Sequence, residues 1–121
     1  MGRKPSLLNR LTASAESLDA VDLRDTVAQR SCMPCCDLAR GKYVQVTGRL
    51  RSVVYTPSET VPTLQAELFD GSDALDLVWL GRRRIAGVEP GRRMLARGRV
   101  GEHNGRLAIY NPWYELLAPG T

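Results

Sequence analysis

From Lys42 onward the chain alternates between apolar and polar residues. In KYVQVTGRLRSVVY, Val44, Val46 and Leu50 share one parity, while Tyr43, Gln45, Thr47, Arg49 and Arg51 share the other. A period of two is the signature of a strand with one buried and one wet face. Gly48 falls mid-run, where a missing side chain marks a bulge or a bend. A second run puts Leu64, Ala66 and Leu68 on one parity and ends at Asp70-Gly71, a dipeptide suited to the positive φ of a tight turn. Leu75, Leu77 and Trp79 mark a third strand, their shared parity placing Trp79 in the core. Pro90-Gly91 opens a fourth (Met94, Ala96, Gly98, Val100), and Asn104-Gly105 turns it into a fifth with Leu107 and Ile109. The pattern predicts a mainly β chain: a five-stranded antiparallel curl over residues 42–121 behind an N-terminal extension, residues 1–41.

The extension reads as helical. Residues 1–5 offer nothing to bury and are expected to be disordered. Ser6 is a candidate N-cap for a short helix whose Leu7, Leu8 and Leu11 share a face. A second helix is predicted from about Ser14 to Arg30, with Leu18, Ala20, Val21, Leu23 and Val27 apolar and Glu16, Asp19, Asp22 and Asp25 on the polar face. Packed on the curl, it would close the end left open by the short connection between strands three and four. The other reading is a docking helix for a protein partner or a second subunit.

Composition narrows the class. A chain of 121 residues has room for one domain plus the extension and not for a second enzyme domain. No apolar run approaches a membrane span, and the basic start has only Leu7-Leu8 before Asn9 and Arg10 interrupt it, so the expected compartment is the cytosol. Net charge is +4, and residues 42–121 hold 11 Lys+Arg against 8 Asp+Glu, so most of the excess lies on the curl. Fifteen of the seventeen cations are Arg, whose planar fork matches phosphate, although a GC-rich coding bias gives the same ratio. The placement of the arginines therefore matters more than their number.

The phrases GKYVQVTGRLRSV, LQAELFDGSDALDLVWLG, EPGRRMLARGRV and GRLAIYNPWYEL resemble an OB-fold of the anticodon-binding type. They are similar to the wedge domain of branch-migrating DNA helicases and most of all to small, free-standing actinobacterial OB-fold proteins. The resemblance implies a five-stranded OB barrel that binds nucleic acid without catalysis. The chain departs from that group in having no helicase motor and no long helix between strands three and four. Such barrels hold a polynucleotide across the face of strands two and three, with cations on phosphates and flat rings on bases. Candidate residues for that role are Arg49 and Arg51 on strand one, Tyr55 at the mouth of the following loop, and Phe69 on the outward parity of strand two. Arg82, Arg83 and Arg84 follow strand three; Arg92, Arg93, Arg97 and Arg99 open or line strand four. In the tail, Pro112 ends or bulges the strand, so that Trp113 projects toward bases, while the resemblance favours Tyr114 as a seal of the barrel end. Each has a plainer reading: solvated arginines, or a Phe69 tucked under the helix.

Cys32, Cys35 and Cys36 crowd one short segment, and zinc would need a fourth ligand that only His103 could add. A redox bridge and free half-buried thiols are the other readings, the last being expected in a reducing compartment. No cofactor or metal is expected, and no nucleophile, acid-base pair or phosphate-cradling loop stands out, so the expected function is non-enzymatic. The expected partner is nucleic acid, single-stranded DNA foremost. The alternatives are a protein-interaction adaptor and a homodimer through an exposed strand edge.

Overall fold

The computed structural model describes residues 7–30 and 32–118, with side chains in the helix from residue 18 onward. The expected disorder of residues 1–5 and the Ser6 cap lie outside the described residues. Where two helices were expected there is one, α1 (Leu7–Gln29), followed by a 3₁₀ turn at Cys35–Asp37. The strands are β1 (Tyr43–Thr56), β2 (Thr63–Phe69), β3 (Ala74–Leu80), β4 (Arg93–His103), β5 (Arg106–Tyr110) and β6 (Trp113–Leu116). Among the described residues no helix is long and apolar enough to cross a membrane.

β1 is long enough to serve two neighbours. Its first half runs antiparallel to β4, Tyr43 opposite Arg99 through Arg49 opposite Arg93, and its second half pairs with β2 from Arg49–Phe69 to Thr56–Thr63. Where the halves meet, the β2 backbone closes on Gly48: a Cβ there would sit 2.3 Å from the Phe69 carbonyl oxygen. Of the bulge or bend expected at Gly48, the pairing shows an irregularity just after it, a register slip between Leu50 and Ser52.

The pairings close a ring of five strands in the order β1, β2, β3, β5, β4 and back to β1. The expectation of a wholly antiparallel curl needs correcting at one pair, because β3 and β5 run parallel, Asp76–Val78 beside Ala108–Tyr110. The alternation that marks a strand is blind to the direction of its neighbour. The tail adds a sixth strand, β6, on the edge of β4 that β5 leaves uncovered. At the β4–β5 hairpin, Asn104 and Gly105 have φ of 52° and 79°, as a two-residue turn of the expected kind requires.

The inward parities form one core: Val44, Val46 and Leu50 meet Leu64, Leu68, Leu75, Leu77, Met94, Val100 and Ile109. Each fully buried leucine contributes roughly 1.5–3 kcal/mol. Trp79 is buried as expected, its ring edge-to-face with Tyr114 at 5.8 Å between centroids, so Tyr114 packs on the core as the resemblance favoured.

Helix α1 packs on β1 and against the turn between β2 and β3, where Arg24 donates to the Gly71 carbonyl at 2.9 Å. It lies on the outer surface of β1 and β4, and its buried stripe is Leu23, Thr26 and Val27, while Leu18 and Val21 are exposed. Asp19 and Asp22, expected on the wet face, turn toward the strands and pair with Arg49 and Arg93. These two ion pairs explain the different rotation of the helix. Val27 joins Cys32, Leu95 and Leu117 in a second small core. Ile85 and Val88, from the helix-free connection between β3 and β4, are buried in the main core.

Candidate nucleic-acid interface

The candidate arginines fall into two groups, the first being Arg49, Arg51 and Arg93, each met by a carboxylate, with the partly buried Arg92, held by a backbone carbonyl. Arg49 reaches Asp19 at 3.0 Å and the Gly91 carbonyl at 3.1 Å. Arg51 donates to Glu67 at 2.9 Å while its guanidinium lies 4.4 Å above the Phe69 ring. Arg93 is buried against Asp22, so it cannot reach a polynucleotide and its expected binding role is withdrawn. Arg92 is partly buried and donates to the Leu117 carbonyl. The three ion pairs arise because strand-one and strand-four parities that point outward also point at α1 or at β2, whose acids are distant in sequence.

The outer face of β2 and β3, where the resemblance places a bound strand, is a closed charge network. Glu67 accepts from both Arg51 and Arg106, and Asp76, almost fully buried, faces the Arg106 guanidinium at 3.2 Å. Burial pushes the Glu67 carboxyl up, but Arg106 and Arg51 more than offset it, leaving it below its ordinary value. Asp76 goes the other way: burial raises it, and Arg106 compensates only in part. Two guanidiniums and two carboxylates cancel, so this face is not a cationic groove. Phe69 stands at its rim, in a cleft with Arg51 and with Asp19 from the middle of the helix.

The second group is free of ion pairs among the described residues. On the outer face of β4 and β6, Arg97 lies opposite Trp113 with its guanidinium 3.8 Å over the indole, and Trp113 stays 47% exposed. Cation–π contact at this distance orients the guanidinium without consuming its charge. One step along β4, Arg99 is exposed opposite Tyr43 of β1 and donates one N–H to the Gly41 carbonyl. Tyr43 is 68% exposed and was missed by the sequence reading, although its parity matches that of Arg49 and Arg51. Cross-strand neighbours on one face have Cβ atoms roughly 4.5–5.5 Å apart, so the Tyr43–Arg99 and Arg97–Trp113 pairs, side by side on β4, set two cations between two rings.

Arg82, Arg83 and Arg84 are all exposed just past the end of β3. Arg83 leans over the Tyr55 ring at 5.7 Å. The Leu80 amide donates to the Asn111 side-chain oxygen at 3.0 Å, which ties the start of the triple-arginine connection to the turn that leads into Trp113. Arg97, Arg99 and Trp113 thus share one face with Tyr43, Tyr55 lies beside Arg83 at the connection after β3, and Arg49, Arg51 and Phe69 line a cleft with Asp19.

Cys32 and Cys35 are buried and Cys36 is exposed, all three as free thiols. Burial pushes both the Cys32 and Cys35 thiols up from their ordinary value, and Asp70 adds to the rise at Cys35. His103 is engaged elsewhere, its Nδ1 2.8 Å from the Tyr110 hydroxyl. Among the described residues no group of three or more His, Cys, Asp or Glu side chains converges as metal ligands.

With this geometry in hand, the chain can be set beside known proteins. A solved structure shares the fold. The structure of RecG bound to a three-way DNA junction matches with a TM-score of 0.58 at 23% identity, over 73% of this chain and 13% of that one. The chain therefore corresponds to a small part of RecG, and at this identity the likeness is one of fold. No family model and no curated protein matches the sequence.

Proposed function

We propose that this chain is a non-enzymatic nucleic-acid-binding module of the OB type that holds single-stranded or distorted DNA. The ring order and the likeness to part of RecG, a protein solved on a DNA junction, support the fold side of this reading. The observation that carries the functional side is the Arg97–Trp113 pair, an exposed ring under a guanidinium that no carboxylate neutralises, beside Arg99 and Tyr43. Phosphate oxygens would take the guanidinium N–H groups, and unstacked bases would lie on the indole and phenol faces. Arg82, Arg83 and Arg84 extend the positive rim. The reading moves the binding surface from the β2–β3 face to the β4–β6 side.

Fluorescence anisotropy with labelled oligonucleotides across a salt series tests it. Each phosphate neutralised on a single strand contributes about −0.7 to the slope of log K against log salt. Replacing Arg82, Arg83 and Arg84 by Ala should flatten that slope by up to about 2. Exposed Leu18 and Val21 on α1 favour a second reading, a protein-docking adaptor. Absence of binding at low salt, with a stable partner recovered through α1, would establish the adaptor instead.

A further inference from the structure

The absence of a helix between β3 and β4 leaves more than a short loop. Ile85 and Val88 from that connection are buried in the main core, and beside them lies a depression of about 340 Å³ floored by Leu64, Ile85 and Val88. Tyr55 and Val53 form one wall, and Arg83 and Arg84 form the other. The floor is apolar and buried, the lip carries two guanidiniums, and no carboxylate among the described residues lines it. Tyr55 presents its ring toward Arg83, in the geometry that leaves a π-face flanked by a cation.

We infer that this depression seats one unpaired nucleobase, with the adjoining backbone phosphate on Arg83 and Arg84. The volume is at the small end of ligand pockets, of the order of 300–1,000 Å³, which suits a single planar ring system rather than a larger ligand. The base would stack on Tyr55 and bury its flat apolar faces against Leu64 and Val88, while the charge complementarity of the lip selects an anionic backbone over a neutral ligand. The inference rests on the proposed nucleic-acid role but adds a distinct requirement: one base must be held at Tyr55, apart from any that lie on Trp113 and Tyr43.

The experiment compares two 12-nucleotide strands, one wholly abasic and one abasic except for a single central base. The wild-type protein should bind the single-base strand about tenfold more tightly, the lower part of the range for base–aromatic stacking. Tyr55→Ala should reduce that gain to under twofold. Val53→Phe, which fills the depression from its wall and keeps Tyr55 and both arginines, should do the same, with thermal melts showing both variants folded. Equal binding of the two strands by the wild type overturns the pocket, and the stacking of bases on Trp113 and Tyr43 with it, and leaves only the phosphate contacts of the proposed role standing. Failure of both strands and of ordinary single-stranded DNA to bind at low salt overturns both. Retention of the full gain in folded Val53→Phe and Tyr55→Ala places the base elsewhere and also overturns the pocket.

Discussion

Replacing Trp113 by Ala removes the ring on which Arg97 rests without touching the core. Because the indole is 47% exposed and belongs to a terminal strand of four residues, its loss should cost the fold little. The lost cation–π contact is worth about 0.5–1 kcal/mol at such a site. For binding, a base stacked on an aromatic ring contributes about 1–3 kcal/mol, or roughly 5- to 150-fold in affinity. The freed Arg97 side chain keeps its charge, so the salt dependence should stay close to that of the wild type. Arg97→Gln should do the reverse in part, lowering the magnitude of the salt slope by about 0.7 while leaving the indole to stack. The assay is anisotropy at several salt concentrations on a short single strand, with both single variants and the double variant forming a thermodynamic cycle. A coupling energy above about 0.5 kcal/mol would mark the two residues as one binding element. Wild-type affinity in the double variant would refute the assignment of this face.

Gly48→Ala drives a methyl into the Phe69 carbonyl and should destabilise by about 2–3 kcal/mol, read as a drop in Tm of about 10 °C; an unchanged melt would mean that the approach is not tight. Arg93→Ala should lower stability by about 1–2 kcal/mol, since its partner Asp22 is largely exposed and screened, and should leave the salt slope of DNA binding unaltered. A flatter slope would show that Arg93 meets phosphate after all. Asp70 accepts from the Cys35 amide, from the Ser72 amide and hydroxyl and from the Asp73 amide. Burial pushes its carboxyl up, but these donors hold it below its ordinary value. A depressed carboxyl stabilises the fold above its unfolded value and loses that contribution as pH falls, so wild-type stability should decline below about pH 4. Asp70→Asn should be less stable at neutral pH by about 1–2 kcal/mol and show a shallower acid decline in urea titrations; an identical pH profile would remove Asp70 from the account.

Much of the ring could be read from alternation alone. Val44, Val46, Leu64, Leu68, Leu75, Leu77 and Met94 all point inward as their parity requires, and Asn104-Gly105 makes the turn its φ preferences dictate. What parity cannot supply is the identity of the neighbour across a gap. Nothing local distinguishes a parallel from an antiparallel partner for β3, and the four residues of β6 are too few to show a period. The same limit governs the site. Arg49, Arg93 and Arg97 look alike along the chain, yet 30 and 71 residues separate the first two from the aspartates that neutralise them, while Arg97 meets an indole. The helix could not be oriented from hydrophobicity because its strand-facing stripe includes two acids whose reason for being there lies on β1 and β4.

The parallel contact between β3 and β5 has a consequence for how the protein comes into being. During synthesis the meander of β1, β2 and β3 can assemble early, but Val78 has no neighbour on its far side until Tyr110 has left the ribosome. Closure also joins Tyr43 to Arg99, a span of more than fifty residues, so the gain in packing arrives late and nearly all at once. A nascent chain stalled before residue 106 would therefore present an open sheet with bare edges to its surroundings, a natural substrate for a chaperone rather than a partly working protein.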